Sequence, residues 1–107
     1  MKKLAKYLKE KYNRKLLESK NGFITYEIYR DGSCYIHTLW IDKDHRNRGE
    51  GRSLEQAIIK KENPKVIYCD VDKESKGWKT TLRILLLSGY EIDKDMKYKI
   101  VLFRDLK

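Results

Sequence analysis

The chain has 107 residues, with 25 Lys or Arg against 16 Asp or Glu, a formal charge of +9 and 40% hydrophobic residues. That apolar share supports one compact domain over residues 1–107 and argues against both a second core and intrinsic disorder. No segment approaches the roughly 18 apolar residues of a membrane-spanning helix, and the start MKKLAKYLKEKYNRKLL lacks the apolar run and small-residue cleavage site of a leader peptide.

The first predicted element is a helix over residues 2–19. Leu4, Leu8, Tyr12 and Leu16 recur every four positions, Tyr7 and Leu17 widen the stripe, and Lys or Arg fill the rest. Its apolar face is expected to join the core, and Asn21 and Gly22 end it. FITYEIYR and SCYIHTLWI, rich in β-branched and aromatic residues, flank Asp31-Gly32 and are expected to pair antiparallel through a type I′ turn. After Ile41 the polar stretch DKDHRNRGEGR reads as a loop. SLEQAIIKKE then resumes as a helix with Leu54, Ala57 and Ile58 inward, ended by Asn63-Pro64. VIYCDV is a nearly continuous apolar run, the pattern of a strand buried on both faces and closing a parallel βαβ unit. Residues 75–87 are predicted helical with Trp78, Thr81, Leu82, Leu85 and Leu86 inward and Gly89 as a left-handed cap. Residues 90–92 and 96–103 form a closing antiparallel pair around a turn at Asp93, Lys94 and Asp95. The expected class is a mixed α/β fold: a mostly antiparallel central sheet of about five strands with one parallel βαβ step, flanked by about three helices.

Cys34 and Cys69 are too few and too separated for a disulfide framework, and no Cys/His cluster surrounds them to hold a metal. They read as buried free thiols of a cytoplasmic protein. The charge is uneven: residues 1–20 carry eight Lys or Arg and two Glu, so most of the excess lies on the first element. Such a face suits an acidic partner, nucleic acid or plain solvent.

The glycine-containing loop carries the chemistry. Gly49 and Gly51 let the chain turn without Cβ clashes and aim successive N–H groups at one point, directly before a helix start, as a pyrophosphate cradle requires. Arg46, Arg48 and Arg52 add charge around it. A P-loop is excluded because Arg52 follows Gly51 where lysine is needed; a dinucleotide fingerprint fails at Leu54, where its third glycine belongs.

The segment instead carries Arg46-Asn47-Arg48-Gly49-Glu50-Gly51, which fits the pattern Arg/Gln-x-x-Gly-x-Gly/Ala. The strand Leu39-Trp40-Ile41, the helix SLEQAII, the strand VIYCDV and a helix ending in Ser88-Gly89-Tyr90 stand around it in matching order and spacing. On these residues the chain resembles the GNAT superfamily of acyl-coenzyme A-dependent N-acyltransferases over residues 35–90. The resemblance implies acetyl transfer from acetyl-CoA to a primary amine by direct attack. It also implies that the segment Arg46, Asn47, Arg48, Gly49, Glu50, Gly51, Arg52 and Ser53 holds the donor pyrophosphate, largely through backbone N–H groups. Leu39, Trp40 and Ile41 would pair their main chain with the pantetheine arm, and Trp78 stands where an asparagine often contacts the donor.

An alkylammonium, with a reference pKa of about 10.4, must lose a proton before it attacks a thioester. His37 is the first candidate base, because arylalkylamine acyltransferases of the superfamily look similar, with a histidine at this strand position. A structural role packed among Tyr35 and Trp40 is its alternative. Asp70 and Asp72, near the end of the neighbouring strand where many members use a carboxylate, are the other candidates, ahead of Glu74 and His45. The resemblance further implies a backbone N–H of the 39–41 strand as oxyanion donor. Leu85 departs from the pattern, standing where many members carry a tyrosine that protonates the leaving thiolate; Tyr90 or Tyr68 are the available substitutes. No metal is expected. The acceptor stays open between a protein lysine, an N-terminus and a small amine, and the assembly between monomer and homodimer. The alternative function is a non-catalytic nucleic-acid- or protein-binding module on the same fold, marked by salt-dependent binding.

Overall fold

The structure, a computed structural model, describes residues 2–107. In chain order the elements are α1 (Lys2–Tyr12), β1 (Lys15–Glu18), β2 (Gly22–Ile28), β3 (Ser33–Ile41), a 3-10 turn (Lys43–His45), α2 (Glu50–Glu62), β4 (Val66–Asp72), α3 (Trp78–Leu87), β5 (Glu91–Asp95) and β6 (Lys99–Asp105). Six strands form one mixed sheet in the order β1-β2-β3-β4-β6-β5. Only β3 and β4 run parallel, joined by α2; the other neighbours are antiparallel.

The sixth strand lies inside the segment expected to be helix. Asn13 adopts a φ of 55° and ends α1 after Tyr12, and Leu16 and Leu17 belong to β1. Leu17 pairs with Ile24 and packs against the core. A four-residue spacing extended by KLLE looks helical because a strand this short cannot display its own alternation. No α1 residue is buried, and Leu4 and Tyr12 are 39% and 44% exposed, so the apolar face of α1 does not join the core.

Other local readings change for equally local reasons. In the β2–β3 hairpin only Gly32 of the Asp31-Gly32 pair has positive φ, the Gly32 N–H donates to Tyr29 O at 3.0 Å, and Tyr29 N–H donates to Ser33 O at 2.9 Å. This is a type I turn followed by a left-handed glycine, rather than type I′. The Asp31 carboxylate accepts from both the N–H and the hydroxyl of Ser33 and so favours the longer loop. β4 is not buried on both faces: Ile67, Cys69 and Val71 are buried, whereas Tyr68 is half-buried and Asp70 exposed. Helix α3 starts at Trp78, not residue 75, and Leu86 is exposed; Trp78, Leu82 and Leu85 face the core. Ala57 is likewise exposed on α2. The stretch expected to turn at Asp93, Lys94 and Asp95 is strand with a bulge, and the turn falls where Met96 N–H donates to Lys99 O. Asn63 and Gly89 cap α2 and α3 as expected, the latter with paired bonds from Gly89 N–H to Leu86 O and Tyr90 N–H to Leu85 O.

One sheet face holds the core. Ile24, Tyr26, Cys34, Ile67 and Leu102 are inaccessible to solvent and are covered by Leu54 and Ile58 of α2 together with α3. Both thiols are free, and burial pushes each up to about 12, so they are inert at neutral pH. At the β1 side, Glu62 accepts from the Tyr26 hydroxyl at 2.8 Å and from Lys15 Nζ at 3.0 Å. Burial alone would raise the Glu62 carboxyl, but these bonds and the charge of Lys15 and Lys61 outweigh it and hold the carboxyl below its usual range. A depressed carboxylate stabilises the fold above its unfolded pKa, and that contribution disappears as pH falls through the folded value. Glu62→Gln is therefore expected to cost about 2 kcal/mol at pH 7, with the difference from wild type narrowing in denaturant melts as pH falls below the ordinary carboxylate range. A difference that stays constant as pH falls would show that charge has no part in it.

Candidate functional site

β3 and β4 pair only where Ser33, Cys34 and Tyr35 meet Val66, Ile67 and Tyr68. Beyond that point β3 follows β2 to Ile41, while β4 follows β6 to Asp72. The two strands splay, and on the β4 side residues 36–41 have no strand partner for their main-chain groups. At the open end the chain makes a 3-10 turn, and Asn47 and Gly49 take φ values of 63° and 84° to deliver it to α2. Gly49 is the N-cap and offers no side-chain cap. The first backbone bond of the helix runs from Ser53 N–H to Gly49 O, which leaves the N–H groups of Glu50, Gly51 and Arg52 without a partner in the helix. Gly51 sits against β3: a Cβ there would lie 3.3 Å from Leu39 Cδ2.

These features line one cleft of about 510 Å³. Of the expected donor-binding residues, Leu39, Trp40, Ile41, Arg46, Asn47, Gly49, Glu50, Gly51 and Arg52 line it, as does His45; Arg48, Ser53 and Trp78 do not. Ser53 turns its hydroxyl to Gly49 O, and Trp78 packs against the core with Lys79 Nζ 5.7 Å from its ring centre. Arg46 folds back, its Nε donating to Ile41 O at 2.9 Å and occupying one acceptor at the strand end.

Of the opposite wall, the sequence pointed only to Leu85 and Tyr90, and not to the rest of the surface. The wall comprises Thr81, Ile84, Leu85 and Ser88 of α3 with Glu55, Tyr90 and Arg104. Glu55 accepts from Arg104 Nη1 and from the Tyr90 hydroxyl at 3.0 Å. One signal was available: Glu55 follows Gly51 by four residues and so shares its helix face. Burial, then the nearby Glu55 charge, holds the Tyr90 phenol far above its ordinary range, which makes it a poor proton donor. Leu85 presents an apolar side chain to the cleft.

His37 and Asp70 lie on the other sheet face. Thr38 pairs with Thr25 and Ile36 with Tyr26, so His37 is the extra residue of a bulge. Its ring stacks on Tyr35 at 5.2 Å, and Nε2 is 3.3 Å from Glu27 Oε1. The Tyr35 hydroxyl donates to Asp70 Oδ2 at 2.9 Å. Burial and then this bond keep the Tyr35 phenol protonated well beyond its usual range. The fold thus gathers His37 and Asp70 around Tyr35 at the point where the strands part, and Tyr68 and Phe103 extend the aromatic row. Asp72 stands apart: its Oδ1 accepts from Glu74 N–H at 2.8 Å and braces the turn after β4.

The family model of the Acetyltransferase (GNAT) family matches residues 19–77, from the β1–β2 turn through the cradle and β4 to the residue before α3. The chain belongs to this family. No curated protein sequence matches it. Among solved structures it is similar to an acetyltransferase from Thermus thermophilus, with 18% identity, a TM-score of 0.76, and 97% of this chain and 71% of that one covered. It is also similar to Ard1 from Thermoplasma volcanium, with 16% identity, a TM-score of 0.71, and 100% and 80% covered. The PaiA N-acetyltransferase from Thermoplasma acidophilum, in complex with coenzyme A, shares 13% identity and a TM-score of 0.66, with 80% and 54% covered. These likenesses show the fold. The chain spans 64%, 64% and 54% of the length of three of the structures it matches.

Proposed function

We propose that the chain is an N-acetyltransferase that takes its acyl group from acetyl-CoA and gives it to a primary amine. The observation that carries this reading is the junction of an uncapped α2 start with the β3–β4 splay in one cleft. The N–H groups at Glu50, Gly51 and Arg52, with Arg52 and Arg46 nearby, suit a pyrophosphate; the unpaired edge of β3 suits an extended arm bearing amides. An acceptor amine then approaches from the face of His37 and Asp70. The neutral nitrogen attacks the thioester carbon, its proton passes to His37, and the C–S bond breaks to release the thiolate of coenzyme A. A thiol with a reference pKa of about 8.5 leaves without a dedicated acid, so Leu85 does not block the reaction. A backbone N–H of the 39–41 strand faces the developing oxyanion. The cationic α1, none of whose residues is buried, supports an acidic macromolecule as the acceptor-bearing partner.

Calorimetry with acetyl-CoA tests the first half of this reading, and absence of binding at millimolar ligand would end it. Thiol release with lysine peptides and small amines tests the second. His37→Gln is expected to lower kcat by about 100-fold while coenzyme A affinity stays within threefold. Should Asp70→Asn produce that loss instead, the base is the carboxylate.

A further inference from the structure

We infer that Asn21, acting through Glu50, is a positioning residue that clamps both ends of the cradle loop and presets it for the donor. The consequence for coenzyme A rests on the function proposed above. The loop leaves the sheet at Asp42 and enters α2 at Glu50, and Asn21 in the β1–β2 turn touches both points. Asp42 N–H donates to Asn21 O at 2.7 Å. Asn21 N–H donates to Glu50 Oε2 at 2.8 Å, and Asn21 Nδ2 donates to Glu50 Oε1 at 2.9 Å. The Ser19 hydroxyl also donates to Glu50 Oε2.

This arrangement answers a question the cradle raises, namely why a carboxylate stands at the mouth of an anion site. Glu50 spends its acceptor capacity on the neighbouring turn. The bonds from Ser19 and Asn21 hold its carboxyl below the usual range, so the group is anionic and anchored across the working pH range. Its backbone N–H meanwhile stays at the free start of α2. Within the loop the anchoring bonds are few: His45 N–H to Asp42 O and Arg46 Nε to Ile41 O. Without a clamp, a loop so lightly tied must lose conformational freedom when it closes on a phosphate, and that loss weakens binding.

The test uses the full chain. Coenzyme A binding is measured by calorimetry for wild type, Asn21→Ala, Glu50→Ala and Glu50→Gln, with amide exchange of residues 43–52 followed in the absence of ligand. Glu50→Ala, which removes every bond to the carboxylate, is expected to weaken coenzyme A about tenfold and to speed exchange across the loop at temperatures well below the melt; Asn21→Ala, which removes only the Nδ2 bond and keeps the two main-chain ones, is expected to shift both readouts in the same direction by a smaller factor. Glu50→Gln retains an oxygen for Ser19 and the Asn21 N–H, and a flipped Asn21 amide can meet its Nε2. It is expected to recover most of the loss, which a role confined to the charge would not permit. Coenzyme A affinity in Glu50→Ala equal to or above that of wild type overturns the inference. If wild type itself fails to bind coenzyme A, the proposed function falls; unchanged loop exchange in both alanine variants would then remove the clamp as well.

Discussion

Gly49→Val is expected to fold and to bind coenzyme A at least 100-fold more weakly than wild type. Gly49 has a φ of 84°, and a Cβ built there meets nothing within 4 Å, so no collision accompanies the change. The difficulty is in the backbone, because a left-handed conformation costs an L-residue about 1–2 kcal/mol, and a β-branched one more. The chain escapes that strain by rotating φ to a negative value. The rotation redirects the peptide that leads into Glu50 and scatters the N–H groups that converge on the phosphate site. A melt monitored by circular dichroism should fall by only a few degrees while calorimetry loses its signal. Gly49→Ala should fall between the two. Tight coenzyme A binding by the valine variant would mean that the α2 start is not the anion site.

Gly22→Ala is expected to have the largest effect on stability of any single methyl addition in the β1–β2–β3 region. Gly22 pairs with Ile41, and a Cβ at this position would stand 2.1 Å from Trp40 O, 2.6 Å from Ile41 Cδ1 and 2.9 Å from Ile41 Cα. Two of these are backbone atoms, which cannot rotate aside as a side chain can. The end of β2 must therefore lift from β3, at a cost of about 3 kcal/mol. For a chain of this size that lowers the melting temperature by on the order of 10–20 °C. Chemical denaturation gives the figure directly, and a loss below about 1 kcal/mol would show that the two strands are not in such close approach.

Both glycines bear on what a sequence discloses. The signals that held were local and steric: Asn63-Pro64 and Gly89 stop their helices, Asp31-Gly32 makes a hairpin, and Gly49 precedes a helix start. Where a residue's role depends on a distant partner, its type alone was silent. Glu50 read only as a backbone member of the cradle, its side chain without a role, because Ser19 and Asn21, which bind its carboxylate, lie about thirty positions away. The bonds that Glu55 makes to Tyr90 and Arg104 were hidden for the same reason. Leu16 and Leu17 misled in the opposite direction, since they continued a helical spacing after Asn13 had already turned the chain. The bulge that places His37 beside Tyr35 and Glu27 has no signature of its own in SCYIHTLWI.

The short parallel seam has a mechanical meaning. On one side of it lie β1, β2 and β3 with α2 packed on β2 and β3; on the other lie β4, β6 and β5 with α3 packed on β4. Each half is a three-stranded antiparallel unit, and the strand ladder joining them is only three residue pairs long, with the Glu55 bonds to Tyr90 and Arg104 bridging the halves beside it. An extended cosubstrate lying along β3 would span the gap and stitch the halves together. Binding energy would then be felt as resistance to the halves parting, so the loaded and empty protein would differ most in how the sheet yields at its centre.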